Sequence, residues 1–556
     1  MGLWRQAGRY WHTLRHLRPV QFYGRVWFRL WRPRPDLRPA PPRAVLSGRW
    51  QQPARRLPSL TDPRRFVFLN EEGGLDELGW DGPQREKLWR YNQHYFDDLN
   101  ALDASVRQAW HTALIEDWIA HNPPGVGCGW EPYPLSLRVV NWVKWALGGG
   151  TLSPAALLSL AVQVRWLTGR LEIHLLGNHV FANAKALVMA GLFFEGPEAD
   201  AWLIKGLRIL AREVPEQVLP DGGHFERSTM YHALALEDML DLVNATRCSV
   251  ARLTPVQQRQ VADWPQRVVA MHTWLQAMCH PDGDIGFFND AAFDIAPRVA
   301  ELDAYVRRVL RVDSLAAPSA LIHLKDSGYV RMSRGPAVAL LDVAPVGPDY
   351  LPGHAHADTL SFELSVGAQR VLVNSGTSCY GNSTERLCQR GTAAHNTVVV
   401  DGQNSSEVWG GFRVARRAYP TGLRIEQTAD APTTEVRCAH NGYSRLPGQP
   451  VHHRIWQMDE EGVTVSDCVK GPHTYAEARF HFHPAVRVQA HTNQAAGMAT
   501  LPDGTTVTWQ VEQGEARLES VTWHPRFGCA IPTVCLVLKL IDGASSLRFR
   551  WISPMA

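Results

Sequence analysis

Two histidines stand two residues apart in Gly353-His354-Ala355-His356-Ala357-Asp358-Thr359-Leu360-Ser361-Phe362, behind Pro352 and ahead of an alternating apolar run. In an extended segment such a pair points to one side. Two imidazoles on one face can ligate a metal, move a proton, or divide the two tasks. Three other polar clusters could share their site. Gly177-Asn178-His179-Val180-Phe181-Ala182-Asn183-Ala184-Lys185 puts an amide and an imidazole where Asn178 can cap a helix. Gly222-Gly223-His224-Phe225-Glu226-Arg227-Ser228-Thr229-Met230-Tyr231-His232 crowds proton carriers at another helix start, where a tuned tyrosine can exchange a proton. Asn374-Ser375-Gly376-Thr377-Ser378-Cys379-Tyr380 is followed by Arg386, Arg390 and Ala394-His395-Asn396-Thr397, and His395 could complete a metal site with His356. Taken singly, each cluster has an equally good structural explanation: a cap beside a satisfied histidine, a buried tyrosine with a bonded hydroxyl, a core histidine. A further stretch, Trp130-Glu131-Pro132-Tyr133-Pro134-Leu135-Ser136-Leu137-Arg138, suits a sugar-carboxylate groove or a turn feeding a helix.

The chain that must position these residues has 556 of them, enough for two or three domains with large cores. Hydrophobic content of 45% and charged content of 20% describe an ordinary globular protein. A formal charge of +3 gives no reason to expect nucleic acid, though it leaves room for a local basic groove. The 21 tryptophans can stack on sugar rings or fill cores. Nine scattered cysteines without CxxC pairs read as free thiols.

Residues 1–78 read as an N-terminal helical arm and linker. Trp11 through Trp31 fits one or two amphipathic helices rich in arginine and aromatics, and Pro33, Pro35, Pro39, Pro41 and Pro42 then break any helix. Packing against the main body is the simpler reading of the arm, with docking on a membrane surface as the alternative. Residues 79–318 read as stacked helical hairpins, an α/α toroid or incomplete helical barrel. Ser153-Pro154 caps one helix, others cover about 180–194, 199–218 and 228–245, and a last begins at Thr254-Pro255. Two of them stop at matching turns, Pro220-Asp221-Gly222-Gly223 and Pro281-Asp282-Gly283-Asp284. From 319 to 556 the apolar period switches to two, as in an antiparallel β-sandwich, with a strand expected over Thr359 to Val366. Helices first and strands second make a multidomain α+β protein with a cleft at the seam.

In this order, GNHVFANAKAL, GGHFERSTMYH, GHAHADTLSFEL and AHNTVVVDGQN resemble motifs of the heparinase II/III-like polysaccharide lyases, from about residue 85 to the β-rich end. The resemblance implies the same toroid and sandwich and the cleavage of uronate polysaccharides by β-elimination. It implies that Asn178 and His179 meet the substrate carboxylate. Tyr231 would be the general acid and could also be the base. His354 would be the catalytic or carboxylate-facing histidine of the sandwich, and Tyr380 the second catalytic tyrosine of some members. Arg138, Tyr133, Trp130 and Glu226 are the candidate substrate contacts. Many members hold a divalent ion beside the cleft, often zinc. His356 and His395 match two ligands, and the third, usually acidic, falls on Asn374, whose neutral amide is a weaker ligand; Asp358 is the residue that could compensate. The expectation is a structural ion, zinc first with manganese or calcium as alternatives, and no organic cofactor.

The chemistry explains the grouping. Removing the weakly acidic C5 proton of a uronate builds charge on its carboxylate, which a donor must meet. A base takes the proton and an acid protonates the departing glycosidic oxygen. Whether His179, His354 or Tyr380 is the base depends on the face that carries the proton. Hyaluronan, chondroitin sulfate, heparan sulfate, alginate or a bacterial exopolysaccharide would serve as the anionic partner. Two alternatives stand beside this reading: a toroidal glycoside hydrolase using Glu226 and Asp221, and a non-catalytic polysaccharide-binding protein of an exopolysaccharide pathway. No 7–15-residue apolar signal core and no run near about 20 apolar residues is present, so neither a signal peptide nor a membrane span is expected. That makes the cytoplasm the default location, with the periplasm or export open if the N-terminus is incomplete or the route unconventional.

Overall fold

The computed structural model describes residues 2–313, 317–427, 433–492 and 494–552. Two helices open the chain, α1 (Gly2–Leu14) and α2 (Pro19–Leu30). The proline-rich stretch behind them is no free tether, because Arg165 donates to the carbonyls of Asp36, Arg38 and Pro39. A three-stranded antiparallel sheet follows, and its Phe66 and Phe68 join the helical core. That core therefore begins before residue 79, where the toroid was expected to start.

The helical layer contains Pro132–Leu147, Pro154–Gly169, Gly177–Phe193, Pro197–Gln217, Thr229–Cys248, Trp264–Ala277 and Val299–Leu310. Ser153 caps its helix as expected, accepting the Ala156 amide at 3.0 Å. Gly177–Phe193 and Pro197–Gln217 pack closely through glycine: a Cβ on Gly206 would come within 2.8 Å of the Ala184 carbonyl. The helix expected from Thr254-Pro255 is split into Pro255–Gln260 and Trp264–Ala277. Pro265 lacks the amide that an unbroken helix needs there.

The two matching turns are short hairpins. Val218 bridges His224 and Cys279 bridges Ile285, with Gly222 at φ +89 and Gly283 at φ +88. Both plug into the sandwich. Asp221 accepts the Asp326 and Ser327 amides, and Asp282 pairs with Arg370 at 2.7 Å.

The C-terminal half has sheets of five, eight and four strands, with antiparallel pairing throughout. They share one core that includes Val330, Phe362, Val398, Trp456, Phe480, Trp509 and Leu536. The strand expected over Thr359 to Val366 is shorter, Phe362–Val366, and Gly353 to Ser361 form a loop with Leu360 at φ +65. Val373, Trp523 and Phe527 of the sandwich are buried in the helical core, which ties the two halves at a common seam.

Candidate active site

The helix Gly177–Phe193 brings the amide–imidazole pair to the seam. Leu176 and Gly177 both have positive φ, +63 and +54, so the chain turns sharply into the helix. Asn178 lies inside the first turn; the expected N-cap position belongs to Leu176. The His179 ring packs on Tyr133 with centroids 4.5 Å apart, and its Nδ1 meets Glu172 Oε2 at 3.2 Å. Glu172 is held in turn by Asn183, which accepts its amide at 2.8 Å. Burial draws the His179 pKa down, but the Glu172 charge and hydrogen bond, with Glu226 adding, outweigh it and leave it raised. The imidazolium form is therefore favoured more than in a free histidine, in the direction that suits a carboxylate partner. Glu172, which the sequence reading did not single out, is thus the partner that orients the His179 ring.

The helix Thr229–Cys248 supplies Tyr231 one turn from its Ser228 cap. Its Oη lies 2.8 Å from Tyr380 Oη, which the sandwich contributes. His354 stacks on the Tyr231 ring with centroids 3.9 Å apart. Burial first, with Tyr380 and Asp290 adding for Tyr231, and with Asp290 outweighing Arg386 and the Tyr231 hydrogen bond for Tyr380, holds both tyrosines far above their usual pKa. Both phenols are thus held neutral, and one hydroxyl donates to the other. Glu226 lies 3.7 Å from His354 Nε2 with both carboxyl oxygens lacking a hydrogen-bond partner, and burial raises its pKa. Asn178, Tyr133 and Tyr231 line one cavity with His224 and Gln217.

At the centre stands Asp290, which sequence reasoning also missed. It follows the second hairpin turn in Phe287-Phe288-Asn289-Asp290, and a carboxylate so soon after a repeated structural turn was its only signal. It is fully buried. Its two oxygens meet His354 Nδ1 at 2.9 Å and His356 Nε2 at 2.8 Å, and Arg386 clamps both oxygens. Burial alone would raise its pKa; the Arg386 charge and the histidine hydrogen bonds drive it well below the carboxylate range. An ionised carboxylate only accepts. His354 must therefore donate from Nδ1, which turns its Nε2 away from Asp290, and His356 must donate from Nε2. The histidine pair does face one side, but through Asp290 and not through extended backbone.

That tautomer of His356 turns its Nδ1 lone pair toward His395 Nε2, 3.2 Å away. Asp358 completes the donor set, with ligand atoms of all three residues within 4.8 Å of one another. Burial pulls the His356 and His395 pKa values down and pushes the Asp358 carboxyl up. Two neutral imidazoles and an uncompensated buried acid fit a divalent ion, and Asp290 behind His356 is the usual carboxylate support for a metal-ligating histidine. Asn374 was the expected third ligand. Its amide donates to the Phe287 carbonyl at 2.9 Å and accepts the Asn396 amide at 3.2 Å, so it braces the neighbouring segments while Asp358 faces the two histidines.

Two expected substrate contacts are corrected. Arg138 is 0% exposed and donates to Gln163, His94 and Gly129, with its guanidinium 3.9 Å from the Trp118 ring centroid. Trp130 is buried, its indole donating to the Asn122 carbonyl. Both side chains pack into the helical core, whereas Tyr133 and Leu137 of the same stretch line the cavity. Asp221, the candidate hydrolytic partner of Glu226, is consumed by the turn that it caps.

Fold and site define a toroid-and-sandwich protein whose seam gathers phenols and imidazoles beside a cavity of the helical half that Asn178 and Tyr231 line. The chain belongs to the heparinase II/III-like family: residues 85–307 match the heparinase II/III N-terminus and 316–551 the heparinase II/III-like C-terminal domain. It is 27% identical over 386 residues to a heparin-sulfate lyase of Bacteroides stercoris, covering 59% of this chain and 56% of that protein. It spans only about half the length of the heparin-sulfate lyases that it resembles. It is also 25% identical over 456 residues to the FtsZ-localized protein C of Caulobacter vibrioides, covering 75% of this chain and 74% of that protein. The fold matches a crystal structure of heparinase III with a TM-score of 0.66 at 18% identity, over 83% of this chain and 76% of that one.

Proposed function

We propose that this protein is a polysaccharide lyase that cleaves a uronate-containing polymer by β-elimination. The observation that carries the reading is the Tyr231–Tyr380–His354 cluster, with Asp290 behind His354 and Tyr231 reaching the cavity that Asn178 lines. Asn178 and the His179 imidazolium meet the uronate carboxylate and stabilise the charge that builds there. His354 takes the C5 proton at Nε2, with Asp290 holding its tautomer as the buried acid does in a His–Asp dyad. Tyr231, kept neutral by burial, protonates the leaving glycosidic oxygen, and Tyr380 orients that hydroxyl. A divalent ion on His356, Asp358 and His395 would supply a fixed positive charge that steadies the loop carrying His354. Glycosaminoglycans are the first substrates to test, given the relatives named heparin-sulfate lyase, with alginate next.

The test is a panel of hyaluronan, chondroitin sulfate, heparan sulfate and alginate, followed by ultraviolet absorbance of unsaturated uronate. Absorbance growth on one polymer, lost in Tyr231→Phe, supports the proposal. Growth that persists in Tyr231→Phe removes that residue from the mechanism. A second reading, polymer binding without cleavage, is favoured by the relative named for its location at FtsZ and not for a reaction; retention on immobilised polymer with no product over the whole panel would establish it.

A further inference from the structure

The first two helices are packed the wrong way round for a water-facing surface. In α2 the buried residues are Gln21 and Gly24. Gln21 donates to the Tyr350 carbonyl at 3.1 Å, and a Cβ on Gly24 would come within 2.9 Å of His174 Cβ. Phe22, Tyr23, Val26, Trp27 and Leu30 face outward, with Trp27 58% and Leu30 77% exposed. Their spacing places them on one side of the helix. In α1, Thr13 accepts from the Trp409 indole, while Tyr10, Trp11 and Leu14 are exposed. An amphipathic helix of a globular protein turns its apolar stripe to the core; here both helices turn it away.

The charge carried by the arm itself has one sign, although Glu407, Asp349 and Glu216 of the main body meet Arg9, His16 and Arg18 on its inner side. Residues 1–35 contain no aspartate or glutamate, and arginines stand at 9, 15, 18, 25, 29, 32 and 34 among others. Arg18 is spent on Glu216, but among the described residues Arg25, Arg29, Arg32 and Arg34 pair with no carboxylate. We propose that the outer face of α1 and α2 docks on the surface of an anionic lipid bilayer. Aromatic rings suit the headgroup level, and arginines at their edge suit anionic lipid. A second copy of the chain fits worse, because a two-fold contact through this face would set arginine against arginine. No helix among the described residues is long and apolar enough to cross a membrane, so the contact lies in the interface plane. Because α2 rests on Tyr350, close in sequence to His354, docking would hold the cleft near the bilayer.

The test is co-sedimentation of the full chain with vesicles of phosphatidylglycerol and phosphatidylcholine, against phosphatidylcholine alone. Binding about tenfold or more tighter to the anionic vesicles is expected. Two variants, Trp11→Ser/Trp27→Ser/Leu30→Ser and Arg25→Glu/Arg29→Glu, should each lose about tenfold or more while melting as the parent does. These side chains are exposed, so neither variant disturbs a core. Failure to pellet with anionic vesicles, or equal binding to neutral ones, overturns the proposal. So does a lipid-free dimer, seen by light scattering, that the tryptophan variant dissolves.

Discussion

Replacing Asp290 by asparagine keeps its shape and removes its charge. In the structure that charge answers a guanidinium clamp from buried Arg386 and hydrogen bonds from buried His356 and partly buried His354. Deleting one partner of such a buried pair leaves the other charge uncompensated and costs about 3–5 kcal/mol. An asparagine carbonyl can still serve one of the donors, so the lower end of that range is expected. Catalysis should suffer separately. An asparagine NH2 turned toward His354 would donate to Nδ1, moving the imidazole proton to Nε2 and removing the lone pair that acts as base. Loss of the equivalent carboxylate behind a catalytic histidine costs on the order of ten-thousand-fold in turnover. Denaturant unfolding and turnover on the polymer that the parent cleaves measure the two effects. Thr377→Val, which removes a long 3.3 Å contact to the same carboxylate, should cost less than about 1 kcal/mol and serves as the control. An Asp290→Asn protein within about 1 kcal/mol of the parent, or one losing less than about tenfold in turnover, would refute the reasoning.

Arg138→Met should destabilise by about 2–4 kcal/mol, leaving the Gln163, His94 and Gly129 acceptors unpaired, with KM unchanged; a raised KM at full stability would restore Arg138 to the substrate groove. In the sandwich, burial raises the pKa of Asp467, but Arg454 and His452 outweigh it and bring it from 3.8 down to about 2. The folded state then binds fewer protons than the unfolded chain between those values, so this contribution, about 2 kcal/mol, is complete above pH ~4 and is lost as pH falls toward ~2. Asp467→Asn should be less stable at neutral pH and show a flatter acid limb in melting experiments. Elemental analysis should find one divalent ion per chain in the parent and none in His395→Ala, with a lower melting temperature in the variant; metal-free parent protein would remove the His356–Asp358–His395 site.

Much of the architecture was legible because it is written in local patterns. The change of apolar period near residue 319 marks the passage from helices to sheets, and the paired Pro-Asp-Gly turns mark where two helices end. The chemistry-bearing motifs also came through: Asn178, His179, Tyr231, His354 and Tyr380 reach one seam. What stayed hidden depends on contacts between distant segments. Asp290 is an ordinary-looking acid in sequence, and only the fold brings Arg386 and two histidines onto it. Asp358, and not Asn374, stands beside His356 and His395 because the loop before Phe362–Val366 is irregular, so alternation could not say which one faces the histidines. Arg138 looked like a carboxylate contact because burial of an arginine against Trp118 leaves no trace in composition.

The central claim is that the bond breaks by loss of a proton and not by attack of water. Cleavage of the responsive polymer in heavy-oxygen water, followed by mass spectrometry of the new ends, tests it most directly. Elimination predicts fragments whose non-reducing ends are one water lighter than a hydrolysed end and no heavy oxygen at the broken linkage. One heavy oxygen incorporated per cleavage, with saturated ends, would contradict the account.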